Sequence, residues 1–164
     1  MHRFIQPVII FILFLLITSG CAVQRLSKAE FEEAKTEVIQ GSYNEVFTST
    51  VAALREKGFH VNEIDRLKGE IVATIRFTPD RDLDSAFFEG YRPRFALAMR
   101  ADAELTPVDE NQTLINITFV EELPPPSTTY TIRPEDLTYR QVRTGQQYEV
   151  FFSQVRSILE NRGP

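Results

Sequence analysis

Two neighbouring stretches, RFALAMRADAEL (94–105) and TLINITFV (113–120), constrain the fold most. In the first, Phe95, Leu97, Met99, Ala101, Ala103 and Leu105 share one parity, and Arg100, Asp102 and Glu104 take the other. In the second, Ile115, Ile117 and Phe119 oppose Asn116 and Thr118. Successive strand residues point to opposite faces, so both stretches bury one face and wet the other. The polar TPVDENQ between them turns the chain. An antiparallel pair with one solvated face follows.

The flanking segments extend that pair. Phe59 to Ile64 and Ile71 to Phe77, joined by DRLKG, read as a hairpin. Ahead of it, GSYNEVFTSTVAALREKGF carries a capping-box pattern in Ser42 and Glu45, with Tyr43, Val46, Phe47, Thr50, Val51 and Leu54 at helical spacing. Gly58 stops this helix, and Phe59 supplies the hydrophobic contact of a Schellman-type end. AKTEVIQ is a possible leading strand. Near the C-terminus, Tyr148, Phe151, Phe152, Val155, Ile158 and Leu159 form a stripe, leaving Gln147, Glu149, Gln154, Arg156 and Glu160 outside it. The expected fold class is therefore α+β: a four-stranded antiparallel sheet, with a possible fifth leading strand, and two helices packed on one face. The chain's 164 residues suit one such domain, and a net charge of −5 with dispersed lysines and arginines argues against nucleic-acid binding.

The first residues do not share this pattern. His2 and Arg3 are basic, Val8 to Ile17 is wholly apolar, and Thr18, Ser19 and Gly20 are small, which is the layout of a secretory signal peptide. Counted from Phe4 the run falls short of the roughly 20 residues that span a bilayer core. Cys21, the only cysteine, follows at once, and no disulfide can form within the chain. LLITSGCAV resembles a bacterial lipobox, matching at 19–21 and departing at Thr18, where the family prefers Leu. The resemblance implies cleavage after Gly20, a diacylglyceryl group on the Cys21 sulfur and an acylated amino group, which together hold a protein firmly to a membrane. Because Ala22 is not the Asp that retains such lipoproteins in the inner membrane, it further implies the periplasmic face of the outer membrane, with the inner membrane as the alternative. Residues 1–20 are thus expected to be a leader and 36–164 the domain. Residues 21–35 are expected to be the lipidated N-terminus and a tether, although SKAEFEEAK offers Ser27 and Glu30 as a capping box.

The element order, with the look of YNEVF and LREKGFHVNEIDRLKGEIVATI, resembles the helix-grip domains of the β-barrel assembly lipoprotein BamC family. The resemblance covers about residues 36 to 161 and implies an envelope-assembly or binding role; with no catalytic or phosphate-loop motif among the residues, neither catalysis nor a cofactor is expected.

Read for chemistry, the residues give little. Outside the leader His60 is the only histidine, so neither a Cys-His nucleophile system nor a usual zinc site can be assembled. Asp80, Asp82 and Asp84 alternate as calcium-loop ligands do, but Ser85 replaces the turn glycine and Tyr91 the bidentate glutamate, which favours a solvated loop. In a simple meander, the connections 78–93 and 123–145 leave the same end of the sheet. They carry Phe87, Phe88, Tyr91 and Arg92, then Tyr130, Arg133, Tyr139 and Arg140. Aromatic and arginine side chains are the usual interface anchors, so these are the candidate binding residues for an envelope protein, glycan or lipid ligand, unless they merely pin the loops to the core. The residues 127–132 (STTYTI) are a possible further strand. Two alternatives stand beside a binding module: a hydrolase or transferase using Asp80, Asp82, Asp84 or Glu89, and a spacer whose contacts lie on the wet sheet face around Arg100, Asp102 and Asn116.

Overall fold

The computed structural model describes residues 25–77, 87, 96–125 and 137–161. Along the chain run α1 (Lys28–Ala34), β1 (Thr36–Gln40), α2 (Tyr43–Glu56), β2 (His60–Asp65), β3 (Glu70–Arg76), β4 (Ala98–Asp109), β5 (Gln112–Leu123), β6 (Thr138–Gln141) and α3 (Gly145–Asn161). The strands form an antiparallel sheet of order β1-β5-β4-β3-β2, with β6 also pairing β5. The α+β layout expected from the sequence holds, and among the described residues the sheet has six strands rather than four or five.

The alternating pair forms as expected, from Ala98 opposite Glu122 to Asp109 opposite Gln112. It is longer than the pattern suggested. Thr106, Pro107 and Val108, expected in the turn, continue β4; an irregularity between Pro107 and Asp109 accommodates the proline, which has no N–H to give the ladder. The turn shrinks to Glu110 and Asn111, with the Asn111 N–H donating to Asp109 Oδ1 at 2.7 Å. Leu97 also differs: placed on the buried parity by the pattern, it is 40 % exposed at a bend before β4. Its backbone is still held, donating to the Glu122 carbonyl and accepting from Phe77 N–H. Phe95 lies outside the described residues.

One sheet face is apolar and covered. Ile71, Ala73 and Ile75 of β3, Met99, Ala101, Ala103 and Leu105 of β4, and Ile115, Ile117 and Phe119 of β5 share a core with Val46, Phe47, Val51 and Leu54 of α2 and Phe151, Phe152 and Val155 of α3. Each large side chain so buried contributes about 1.5–3 kcal/mol. The helix ends match their signals. The Ser42 N–H donates to Glu45 Oε2 at 3.0 Å, and Phe59 N–H donates to the Leu54 carbonyl at 3.0 Å across Gly58, whose φ is +87°. At the β2–β3 turn Gly69 has φ +79°, and a Cβ there would lie 2.1 Å from the Leu105 carbonyl oxygen. Only glycine permits that approach.

The tether expected over 21–35 ends early. From Lys28 the chain is α1, capped by Ser27 and Glu30, and Phe31 is 1 % exposed with its ring edge-on to Tyr148 at 5.8 Å. One buried aromatic draws this polar helix onto α3, a contact that no periodicity in so short a segment reveals. Strand β6 was equally hidden: TYRQ is four residues, all exposed, and it exists because β1 occupies only residues 112–116 of one β5 edge, leaving 120–123 to be paired. Between the two strands the β5 backbone finds other partners. Ile117 N–H donates to the Lys35 carbonyl, Phe119 N–H to the Tyr148 hydroxyl at 3.4 Å, and Val142 N–H to the Phe119 carbonyl at 2.9 Å.

Candidate functional site

The sheet register brings together the ends from which the two long connections leave, since Arg76 opposes Ala98, Ala98 opposes Glu122, and Leu123 opposes Thr138. Of the candidate residues on those connections, Phe88, Tyr91, Arg92, Tyr130 and Arg133 lie outside the described residues, as do Cys21, Asp80, Asp82, Asp84, Glu89 and the possible strand 127–132. Phe87 is a correction. It is fully buried, its ring 5.3 Å from Phe119 and 5.9 Å from Phe59, and its carbonyl accepts from Gln147 Nε2 at 3.2 Å. It pins its connection to the core instead of offering a contact surface. Gln147, expected outside the α3 stripe, is fully buried because it makes that bond and a second with Thr144 Oγ1.

Tyr139 and Arg140 are both on β6 and both exposed. Alternation sends them to opposite faces. Tyr139 opposes Glu122 on the uncovered face, 53 % exposed, with the Arg100 guanidinium 6.0 Å from its ring centre. Arg140 opposes Glu121 and donates from Nε to its Oε2 at 2.6 Å; the Glu121 side chain is 2 % exposed and the arginine half exposed. The buried carboxylate has its countercharge at the rim, with the rest of the guanidinium facing water.

Two further arginines join them. Arg25 bridges Thr144, and Leu26 N–H donates to the Arg143 carbonyl at 2.8 Å, so the start of the described chain lies against the segment linking β6 to α3. Arg25, Leu26, Tyr139, Arg140, Gln141 and Arg143 line an open hollow of about 470 Å³. Arg143 stacks over Phe31 at 5.4 Å. Among the described residues neither Arg25 nor Arg143 has an acidic partner. Arg25 was hidden in the sequence, because its distance from Arg143 along the chain closes only through the bridge to Thr144. The one available signal was the spacing of Arg140 and Arg143 in YRQVR.

The surface is electrically divided. Toward the β2–β3 turn a hollow of about 360 Å³ is lined by Glu63, Glu70, Asp102 and Glu104, with Lys35, Asn116 and Thr118. The lysine's ammonium is 2.6 Å from Glu32, and Arg100 is paired with Asp102 at 3.0 Å. Carboxylates therefore dominate that end and guanidinium groups the β6 edge.

No family model matches the chain, and no curated protein matches its sequence. Among the described residues no helix is long and apolar enough to cross a membrane.

Proposed function

We propose that the protein is a lipid-anchored envelope lipoprotein facing the periplasm, held on the outer membrane by acyl groups on Cys21, and that its domain is a non-enzymatic binding module. The observation that carries this reading is positional: the cysteine of the lipobox-like LLITSGCAV lies four positions before Arg25, which lines the hollow with Tyr139, Arg140 and Arg143. Attachment and binding surface then share one side of the domain. Tyrosine and arginine are the side chains expected of such a surface, offering an amphipathic ring and planar multiple donors. The α+β layout, with α2 and α3 on one sheet face, supports likeness to the helix-grip domains of the BamC family.

The decisive experiment replaces the attachment point. Cys21→Ala abolishes incorporation of labelled lipid and moves the protein out of the membrane fraction. Lipid incorporation that persists in Cys21→Ala overturns the proposal.

A further inference from the structure

We infer that the hollow lined by Arg25, Tyr139, Arg140 and Arg143 is a headgroup site that takes the phosphates of anionic phospholipids in the membrane holding the protein, so that the domain lies edge-on against the bilayer. The inference rests on the lipidation of Cys21 and names the partner of the surface proposed above.

Reach is the first argument. Arg25 is four residue steps beyond Cys21, and a fully extended chain spans at most about 3.6 Å per residue, or roughly 14 Å. Had residues 21–35 formed a tether, the same arithmetic would allow about 50 Å. Because α1 is packed on the domain and Leu26 is bonded to Arg143, the slack ends at Arg25. A lipid on Cys21 therefore keeps the hollow within roughly 14 Å of the headgroups, a reach that lets it settle to within the Debye length of about 8 Å over which surface charge acts at physiological salt.

Charge is the second. The full chain carries −5 and is repelled as a whole by an anionic surface, so apposition selects whichever side is locally basic. That side is the β6 edge, where Arg140 is paired with Glu121 but Arg25 and Arg143 have no acidic partner among the described residues. The carboxylates Glu63, Glu70, Asp102 and Glu104 line the hollow toward the β2–β3 turn instead. Guanidinium groups bind phosphate oxygens through paired donors, and a half-exposed tyrosine suits the boundary between headgroups and water. A protein or glycan partner gains nothing from the short reach, whereas a headgroup layer is already within it.

The test uses the lipidated mature protein reconstituted in vesicles. Cys21, the only cysteine, carries the lipid, so Gln141→Cys supplies a single free thiol at the hollow for a fluorophore, and Leu67→Cys, at a fully exposed position in the β2–β3 turn, supplies the control. Quenching by a headgroup-level spin label is compared between phosphatidylcholine vesicles and phosphatidylcholine mixed with phosphatidylglycerol. We expect phosphatidylglycerol to quench the Gln141 position and not the Leu67 position, and added salt to reverse it. Arg25→Gln with Arg143→Gln lowers the ratio of apposed to lifted domain roughly fivefold for each arginine removed. This pair spares the Arg140–Glu121 contact, and a thermal melt confirms that the variant is folded. Quenching that ignores phosphatidylglycerol, or that survives the double substitution, overturns the headgroup site and assigns the hollow to another partner. The mass of the same preparation separates the two readings: an acylated Cys21 with no quenching refutes the site alone, and an unmodified Cys21 refutes the lipidation and the site with it.

Discussion

Tyr148 shows what a single residue does in this fold. Its ring is 1 % exposed and lies 5.3 Å from Phe119, while its hydroxyl donates to the Val142 carbonyl at 2.9 Å and accepts from the Phe119 N–H. Burial pushes the phenol far above its ordinary range, so it stays neutral and keeps the proton it donates. The sequence marked Tyr148 as an apolar stripe residue, which accounts for the ring and misses the oxygen. Tyr148→Phe keeps the ring and leaves a buried N–H and a buried carbonyl short of a partner. We expect a loss of about 1–3 kcal/mol in urea denaturation. Amide exchange at Phe119 should accelerate more than at Ala101, and an unchanged Phe119 rate would show that the hydroxyl is not its partner.

At the scale of elements, α1 and α2 begin on the same device. Glu30 is held by Ser27 and Glu45 by Ser42, and in each case the serine side chain is the largest influence and the serine backbone the next, lowering the glutamate pKa below 4.5. A depressed folded-state pKa means that the stabilisation is present above the unfolded value and is lost as pH falls through the folded value. The thermal midpoint should therefore begin to fall as pH drops below about 4.5. Glu45→Gln should flatten part of that dependence while leaving the neutral-pH fold intact. An acid slope identical to that of the unaltered protein would remove the box from the account. These boxes were legible, as were α2, the alternation of β4 and β5, and the α3 stripe, because each is written within a few residues. Strand β6 and the packing of α1 were not, since TYRQ and Phe31 acquire their places from the β5 edge and from α3.

On the scale of the whole molecule, one edge of β5 decides where the domain begins. It is shared by β1 and β6, and Lys35, Tyr148 and Val142 satisfy the backbone between them, so residues before and after the central sheet meet there. The candidate site is a product of that closure: Arg140 was found from its loop-like sequence, but Arg25 reaches it only through the bridge to Thr144. Phe31 is the packing residue of this junction, buried against Tyr148 with Arg143 and Lys35 each facing its ring at 5.4 and 5.6 Å. A residue in a lipoprotein tether would tolerate replacement at almost no cost, within about 0.5 kcal/mol. Truncating a buried phenylalanine instead costs about 3–5 kcal/mol. Phe31→Ala should therefore lower the global urea midpoint, and Phe31→Leu, which keeps most of the volume, should lower it less. The loss should also loosen Arg25 and Arg143, lengthening the slack between Cys21 and the hollow. A Phe31→Ala protein as stable as the parent would return α1 to the tether and take with it the short reach on which the proposed apposition of the β6 edge to the membrane rests.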